Sequence, residues 1–248
     1  MMAATRASAI SRYIFSKTEL NHVERCETIS ASALFAGLSQ PECVEIASSA
    51  RARTFARDEL LFVQGQPVSR MVLLQAGSVK LTQLSSSGSE ALLWMNGVGD
   101  AIGMPGTASC SHSCSARAME RCHALTWEYR QVGDLLAEYP RVRQNVNNIV
   151  SSRLHELEER FREVSTEKVA PRLALTLLRL VRKIGKQGSD GIDVSLSREE
   201  LAQMTGSTLF TISRIFSKWA EEGFVLPRRN GVVVLDTVRL QQVGETSD

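Results

Sequence analysis

The chain has 248 residues, of which 43% are hydrophobic, and a formal net charge of +2. That length can fill one large core or two small ones. It contains no apolar run of about 18 residues that would cross a bilayer and no signal-peptide pattern at its N-terminus, so we expect a cytoplasmic protein with no membrane partner. Its five cysteines are irregularly spaced, unlike a disulfide framework. Residues 1–164 carry 17 basic and 17 acidic side chains and residues 165–248 carry 12 and 10, so charge alone does not identify a partner.

The first half of the chain changes from a polar arm to a strand-rich region. Residues 1–32 lack clear periodicity and predict a flexible arm with at most one short helix, while residues 33–50 suit short amphipathic helices. Short strand-like runs then alternate with turn residues at intervals of roughly 8–12, which predicts an antiparallel barrel or jelly roll. These runs are Thr54–Ala56, Leu60–Val63, Met71–Leu74, Val79–Thr82, Ala91–Trp94, Ala118–Met119 and Cys122–Trp127. Their predicted corners are Gly65, Gly77, Gly88, Gly97, Gly99 and Gly103.

A helical period follows the last strand. Asp134–Tyr139 predicts a short helix that Pro140 ends, and from Arg141 apolar residues recur at spacings of three and four. Those residues are Val142, Val146, Ile149, Val150, Leu154, Leu157, Phe161 and Val164. A narrow stripe flanked by charges is typical of a coiled-coil seam, and the simplest partner is the same helix in a second copy. The alternative is packing against the chain's own barrel.

The C-terminal region predicts two short helices joined by a tight turn. Ser165 and Thr166 are expected to cap a helix over residues 167–184, and residues 185–191 to form a loop. Ser197 and Glu200 then have the spacing of a capping box. Gly206 stands where the chain must turn sharply, and Ser207 or Thr208 is expected to cap the second helix. The inward side chains should be Ile212, Ile215, Phe216 and Trp219, and the outward ones Leu209, Phe210, Ser213 and Arg214.

This helix-turn-helix predicts binding of double-stranded DNA. An arginine held by a rigid helix in the major groove can bind guanine through two atoms, and Arg214 is on the outward face. The sequence Asn230-Gly231 between two β-branched runs indicates a β-hairpin, here a wing with the basic residues Arg228 and Arg229. The alternative is an ordinary helical hairpin on a domain surface.

Barrel, seam helix and winged helix in this order resemble the cyclic-AMP receptor protein and FNR (CRP/FNR) family of bacterial transcription regulators, over about residues 33–240. The resemblance implies an α+β fold with an N-terminal jelly-roll sensor domain, a dimerisation helix and a C-terminal winged helix-turn-helix. It also implies a homodimer on a two-fold symmetric DNA site, a signal received in the barrel, and RNA polymerase as a further partner. The expected division of the chain is 1–32 (arm), 33–139 (sensor), 140–164 (dimerisation helix) and 165–248 (DNA binding).

The resemblance also assigns site residues. Arg214 matches the family's base-reading arginine and Ser213 its neighbour, while Thr211, Ser197 and Arg198 match phosphate-contact positions. Phe210 replaces a glutamate that many members use to bind cytosine; since a phenyl ring packs on a thymine methyl instead, we expect a different half-site. The predicted DNA-contacting residues are Ser197, Arg198, Ser207, Leu209, Phe210, Thr211, Ser213, Arg214 and Lys218.

The sensor departs from the cyclic-AMP-binding members of that family. Met104 follows Gly103 where they have glutamate, and residues 112–116 lack the arginine that a phosphodiester needs. Residues 157–158, Leu-Glu, replace the Thr-Ser pair that contacts adenine. These differences disfavour cyclic AMP. An iron–sulfur cluster is also disfavoured, because Cys26 is the only cysteine in the N-terminal arm.

Residues 110–113, Cys-Ser-His-Ser, resemble the haem-binding segment of the family's carbon-monoxide sensor, so haem is one candidate cofactor. The candidate ligands are Cys110, His112 and Cys114. The same segment is open to three other interpretations: a polar loop, a different metal site, or a thiol switch in which the histidine lowers a cysteine pKa. A cyclic-nucleotide-binding module that regulates a protein partner, and a metal-dependent enzyme, are further alternatives. The chain has no phosphate-binding loop, nucleophile elbow or paired-carboxylate motif, so we expect no enzyme.

Overall fold

The structure is a computed structural model that describes residues 23–104 and 111–246. Helix α1 covers residues 23–31. A 3-10 turn at Ala33–Phe35 and the other helices follow: α2 Gln40–Ser49, α3 Tyr129–Glu138, α4 Pro140–Thr166, α5 Val169–Ile184, α6 Arg198–Met204, α7 Leu209–Glu221 and α8 Thr237–Glu245. The strands are β1 Arg51–Phe55, β2 Leu60–Phe62, β3 Arg70–Ala76, β4 Val79–Leu84, β5 Glu90–Asn96, β6 Ala101–Ile102, β7 Ser115–Ala118, β8 Cys122–Glu128, β9 Lys186–Gln187, β10 Ile192–Val194, β11 Val225–Arg228 and β12 Gly231–Val234. None of these helices combines the length and apolar character that crossing a membrane requires.

Strands β1–β8 form two antiparallel sheets, with orders β1-β8-β3-β6 and β2-β7-β4-β5. Alternate side chains of both sheets, such as Phe55, Val72 and Ala116, are fully buried between them. The predicted α+β fold with an N-terminal jelly roll is therefore confirmed, and we call β1–β8 the sensor barrel. Gly77 makes the β3–β4 corner with φ +88°, where a Cβ would lie 2.6 Å from the Cys122 sulfur. Only glycine fits there.

The predicted arm over residues 1–32 contains one short helix at its C-terminal end, as the prediction allowed, and this helix is packed against the core. Residues 23–31 are helical, and Ile29 is fully buried in the core beneath the 3-10 turn. The Ser32 hydroxyl donates to the Gly99 carbonyl at 2.8 Å, which ties the end of α1 to the barrel. Burial of apolar side chains outweighs the weak periodicity that suggested an arm. The remainder of the predicted arm, residues 1–22, lies outside the described residues.

Helix α3 begins at Tyr129, five residues earlier than predicted. Glu128 is its N-cap, and its backbone N–H donates a hydrogen bond to the Gln131 side-chain oxygen, so the helix starts directly after β8. Pro140 ends α3 as predicted and also occupies the first turn of α4. Proline is favoured there because the N–H groups of the first turn have no partner within the helix.

Helix α4 has two apolar faces where the sequence predicted a single seam. Val142 is buried, and Val146 and Ile149 are half-buried against the chain's own core. The second face is exposed along its length and consists of Val150, Leu154, Leu157, Phe161 and Val164. Packing against the chain's own barrel is thus confirmed for the first face, whereas pairing with a second copy stays a prediction for the exposed face. The alternation of three- and four-residue steps continues on each face, which is why the two appeared as one stripe.

The end of α4 is fixed by Arg172 of α5. Its guanidinium Nη1 donates to the carbonyls of Val164 and Glu167, both at 3.1 Å, and to that of Glu163 at 3.4 Å. Ser165 and Thr166 do not cap α5, contrary to prediction. Each bonds back to the carbonyl four residues earlier in α4, so the helix continues through them and α5 starts only after Lys168.

Helices α5–α8 and the sheet β11-β12-β10-β9 form a second unit, which we call the reader. The predicted loop over residues 185–191 includes strand β9, which pairs with β10. The sequence did not predict this strand because it has only two residues and neither is β-branched. Two side chains of the sensor barrel, Leu92 and Met95 on β5, belong to the same buried cluster as the reader's core. Sensor and reader are therefore packed directly against each other.

Candidate nucleic-acid interface and sensor cavity

The turn between α6 and α7 forms as the spacing predicts. The Ser197 hydroxyl accepts a hydrogen bond from the Glu200 amide at 3.2 Å, and the Ser197 amide donates to the Glu200 carboxylate at 3.0 Å, which completes the capping box. Thr205 is fully buried and its hydroxyl donates to the Leu201 carbonyl at 2.7 Å. Gly206 follows with φ +56° and turns the chain sharply. These local bonds fix the angle between the two helices.

Helix α7 places one face in the reader's core and the other on the surface. Thr208 is its N-cap and accepts from the Thr211 amide at 3.2 Å, so Thr208, one of the two predicted residues, is the cap. Ile212, Phe216 and Trp219 are buried, and Ile215 is half-buried. The side chain of Phe210 is 82% exposed. An aromatic ring so far out of the core has no folding role and is available to a partner.

The residues predicted to contact DNA do not share one environment. On α7, Phe210, Arg214 and Lys218 recur every four residues and are exposed, so they lie on one face of the helix. Leu209 is 43% exposed beside them, whereas Thr211 and Ser213 are half-buried. Half-buried Ser207 lies in the turn before α7.

The two residues of the α6 region that were predicted to contact DNA, Ser197 and Arg198, are less accessible than the exposed residues on α7. The Ser197 hydroxyl is engaged with Glu200, at 3.0 Å to its carboxylate. Arg198 is half-buried, and its Nε has no hydrogen-bond partner among the described residues. That nitrogen is itself buried.

The wing is a hairpin between β11 and β12. Arg228 pairs with Gly231, so the two central residues of the turn are Arg229 and Asn230 and not the predicted Asn230–Gly231 pair. Gly231 is needed for a different reason, because a Cβ there would lie 2.7 Å from the Val194 carbonyl of the neighbouring strand. Arg228 is held 3.4 Å from Asp193, while Arg229 is exposed at the tip. The hairpin prediction is confirmed.

The sensor barrel contains a cavity of about 250 Å³ at the position of the predicted effector site. Its apolar lining includes Phe62, Leu81 and Met104. Its polar lining consists of Ser111, His112, Ser113, Cys114 and Arg153. The 112–116 segment contains no arginine, and α4 supplies Arg153 to the cavity instead. Arg153 donates to the Asn96 side-chain oxygen at 3.0 Å. Arg153 follows the inward-facing Ile149 by four residues, and this spacing could have predicted from the sequence that Arg153 faces the barrel.

Of the three candidate haem residues, the structure describes His112 and Cys114, both in the lining of the sensor cavity. Cys110 lies outside the described residues. His112 is 7% exposed and its ring stacks on Phe62 at 3.8 Å between centroids, and burial lowers its pKa. The described part of the cavity, about 250 Å³, is smaller than the roughly 300–1,000 Å³ of typical ligand pockets.

The thiol-switch interpretation finds no support in Cys114. Burial raises the pKa of this thiol, although Ser113 and Arg153 act in the opposite direction. A raised pKa keeps the sulfur protonated and less nucleophilic. No set of three or more histidine, cysteine or acidic side chains is arranged to hold a metal within residues 23–104 and 111–246.

Two family models match the chain. Residues 52–139 match the cyclic nucleotide-binding domain and residues 171–243 match the Crp-like helix-turn-helix domain. The chain is 24% identical to the CRP-like cAMP-activated global transcriptional regulator of Mycobacterium tuberculosis over 225 residues, which cover 86% of this chain and 97% of that protein. It is 23% identical to the transcriptional activator protein Anr of Pseudomonas protegens over 192 residues, or 77% and 79% of the two chains.

The fold is also shared with a solved structure. FixK2 from Bradyrhizobium japonicum superposes with a TM-score of 0.69 at 19% identity, covering 80% of this chain and 99% of that one. This chain and FixK2 thus share their fold. The chain belongs to the CRP/FNR family and is a transcription regulator with a DNA-binding helix-turn-helix.

Proposed function

We propose that this regulator binds a two-fold symmetric DNA site as a homodimer and reads its half-sites with α7. The observation that supports this is the exposed face of α7, where Phe210, Arg214 and Lys218 project from a helix whose other face is anchored by Phe216 and Trp219. A guanidinium on such a helix can bind guanine O6 and N7, and a phenyl ring can contact a thymine methyl. Ser197, Arg198, Ser207, Leu209, Thr211 and Ser213 complete the proposed contact set.

The dimer is proposed to form through the exposed face of α4. Its apolar residues alternate at spacings of four and three from Val150 to Val164, and Phe161 is 73% exposed in a single chain. Apolar side chains in this pattern are buried when two helices pack knobs into holes. Two readers held in this way would meet half-sites about one helical turn apart.

The signal is proposed to be a small ligand other than cyclic AMP in the barrel cavity. Met104 lines that cavity where a carboxylate would be needed to accept hydrogen bonds from a ribose, while Arg153 supplies a cation. We further propose that the dimer contacts RNA polymerase, acts in the cytoplasm and has no catalytic activity. The division at 1–32, 33–139, 140–164 and 165–248 remains a proposal, with the sensor extended back to residue 23 and the long helix on to Thr166.

The test is selection of binding sites from random duplex DNA, followed by affinity measurements at several salt concentrations. Replacing Arg214 by Ala should cost about 1–3 kcal/mol on the selected site and abolish preference at one base pair. Lys218→Gln is the control: it should weaken binding to all sequences alike and reduce the salt dependence. An Arg214→Ala protein that keeps the wild-type sequence preference would rule out the proposed role.

A further inference from the structure

A further cavity, lined by four cationic side chains, lies outside the sensor barrel, where sensor, long helix and reader meet. It measures about 160 Å³ and lies between β5, α4, α5 and the end of α6. Its charged and aromatic lining consists of Trp94, Glu156, Arg160, Arg179, Arg182 and Lys183. Four cations thus face one carboxylate within a cavity that joins three parts of the molecule.

Two of these cations are already neutralised by neighbours. Arg179 makes a two-pronged ion pair with Glu163, with both nitrogen–oxygen distances 2.7 Å, and Glu163 is nearly buried. Lys183 lies 2.6 Å from Asp100 on the sensor. Glu156, Glu163 and Asp100 carry three negative charges and the four cations carry four positive ones, so this group of side chains has a net charge of +1.

The other two cations have no carboxylate at ion-pair distance among the described residues. Arg160 donates only to the Leu93 carbonyl, at 2.6 Å, and its guanidinium lies over the Trp94 ring, 5.1 Å from the ring centre. Arg182 is exposed at the rim. Burial and then the charge of Arg179 lower the pKa of Arg160, and the opposing charges of Glu156 and Glu163 do not fully offset them. A bound anion would oppose that lowering.

We propose that this junction cavity is an anion site that takes a small phosphate-bearing effector through Arg160 and Arg182. Guanidinium groups bind phosphate oxygens in pairs with strong, charge-assisted hydrogen bonds. Because Arg160 is on the long helix, Arg182 on the reader and Trp94 on the sensor, a bound phosphate group contacts all three parts. It therefore stabilises this arrangement relative to others and changes DNA affinity. The site is independent of the barrel cavity and of Arg214.

The experiment is isothermal titration of the full chain with inorganic phosphate, pyrophosphate and a nucleoside diphosphate at constant ionic strength, so that screening does not change. We expect saturable binding of at least one of the three. Tighter binding of the nucleoside diphosphate than of pyrophosphate would identify a nucleotide phosphate as the ligand. Equal binding of the two would identify a free anion as the ligand. The matched variants are Arg160→Gln and Arg143→Gln, both on α4; Arg143 is exposed and lines neither cavity. Arg160→Gln should weaken binding at least tenfold and Arg143→Gln should not.

Arg182→Gln provides a second variant that cannot be explained by misfolding, because this side chain is exposed and makes no structural contact in the described residues. It should weaken binding about three- to tenfold, as expected for loss of one charge-assisted contact. In the wild type the anion should also shift affinity for the selected DNA at least threefold, and in Arg160→Gln it should not. Absence of saturable binding, or full retention of binding in Arg160→Gln, would overturn the site. Binding with no effect on DNA affinity would overturn its regulatory role.

Discussion

The ammonium of Lys80 on β4 lies 2.7 Å from the Glu200 carboxylate in the first turn of α6. The two side chains are 19% and 17% exposed, so this ion pair is largely removed from water and joins the sensor barrel to the helix-turn-helix. Glu200 also completes the cap on Ser197. The start of α6 is thus held both by its own capping box and by the sensor.

We expect Lys80→Gln to destabilise the packed arrangement by about 1–3 kcal/mol, between the costs known for exposed and buried pairs. The substitution leaves the Ser197–Glu200 capping box in place. The measurement is urea denaturation of the full chain. Lys218→Gln is the control, because Lys218 is 74% exposed and 3.8 Å from Glu222; it should change stability little. Equal stability of Lys80→Gln and wild type would show that sensor and reader are not joined through this pair.

The same pair makes a prediction about pH. Burial opposes ionisation of Glu200, but hydrogen bonds from Lys80 and Ser197 outweigh it, so its pKa lies below the usual value of about 4.5. A carboxyl with a lowered folded-state pKa stabilises the fold above its unfolded pKa and loses that contribution as pH falls through the folded value. The stability difference between wild type and Lys80→Gln should therefore be full near neutral pH and shrink in acid. A difference that grows in acid would contradict this assignment.

The backbone of Gly97 in the β5–β6 turn approaches the Lys183 carbonyl so closely that a Cβ has no space. Its φ is not in the left-handed region, so alanine is tolerated by the backbone and only the contact with α5 suffers. Gly97→Ala should cost about 1–3 kcal/mol, as overpacking does, in urea denaturation. Gly133→Ala is the control: nothing surrounds that Cβ position on α3, and the helix should gain up to about 1 kcal/mol. Two variants of equal stability would argue against this close packing.

Phe161, the most exposed apolar side chain of the described α4 face, should control dimerisation. Phe161→Glu places a charge in the proposed seam, where burial without a partner costs several kcal/mol. We expect the dimer to dissociate at least tenfold more readily in sedimentation equilibrium, with the fold of each chain unchanged by circular dichroism. Ser152→Glu, on an exposed position away from that face, should leave the dimer intact. A dimeric Phe161→Glu protein would show that the chains associate elsewhere.

Phe210 should determine one base pair of the half-site. Phe210→Glu introduces a carboxylate that accepts from cytosine N4, and Phe210→Ala removes the phenyl ring without replacing it. In binding-site selection, the first variant should change the preferred base pair and the second should lose preference there, each by about 1–3 kcal/mol. Recovery of the same half-site by all three proteins would mean that Phe210 does not contact a base.

Haem binding can be checked directly. His112 is covered by Phe62 and lines a cavity of about 250 Å³, so the protein mixed with haem should show no Soret band beyond that of free haem. His112→Ala should give the same spectrum. A Soret band in the wild type that this variant removes would contradict the expectation and return His112 to the list of ligands.

Local features of this protein follow from short spacings in its sequence. The Ser197–Glu200 capping box, the Gly206 turn and the Thr208 cap each involve residues at most three apart, so their backbone and side-chain partners are known once the sequence is known. The strand rhythm and corner glycines likewise predicted the barrel. The prediction failed where a local pattern competed with a tertiary contact. Ser165 and Thr166 are residue types that favour helix N-caps, yet they lie inside α4, because Arg172 binds the carbonyls at the C-terminal end of that helix.

The tertiary structure decided everything that depends on how distant segments meet. Sequence spacing marks a continuous apolar stripe on α4, but only docking against the barrel divides it into a buried face and an exposed one. The same docking brings Arg153 into the sensor cavity and joins Lys80 to Glu200, 120 residues apart. A hydrogen bond within one helical turn is fixed by local geometry, whereas a contact across the chain depends on the relative orientation of packed units, which no local pattern specifies.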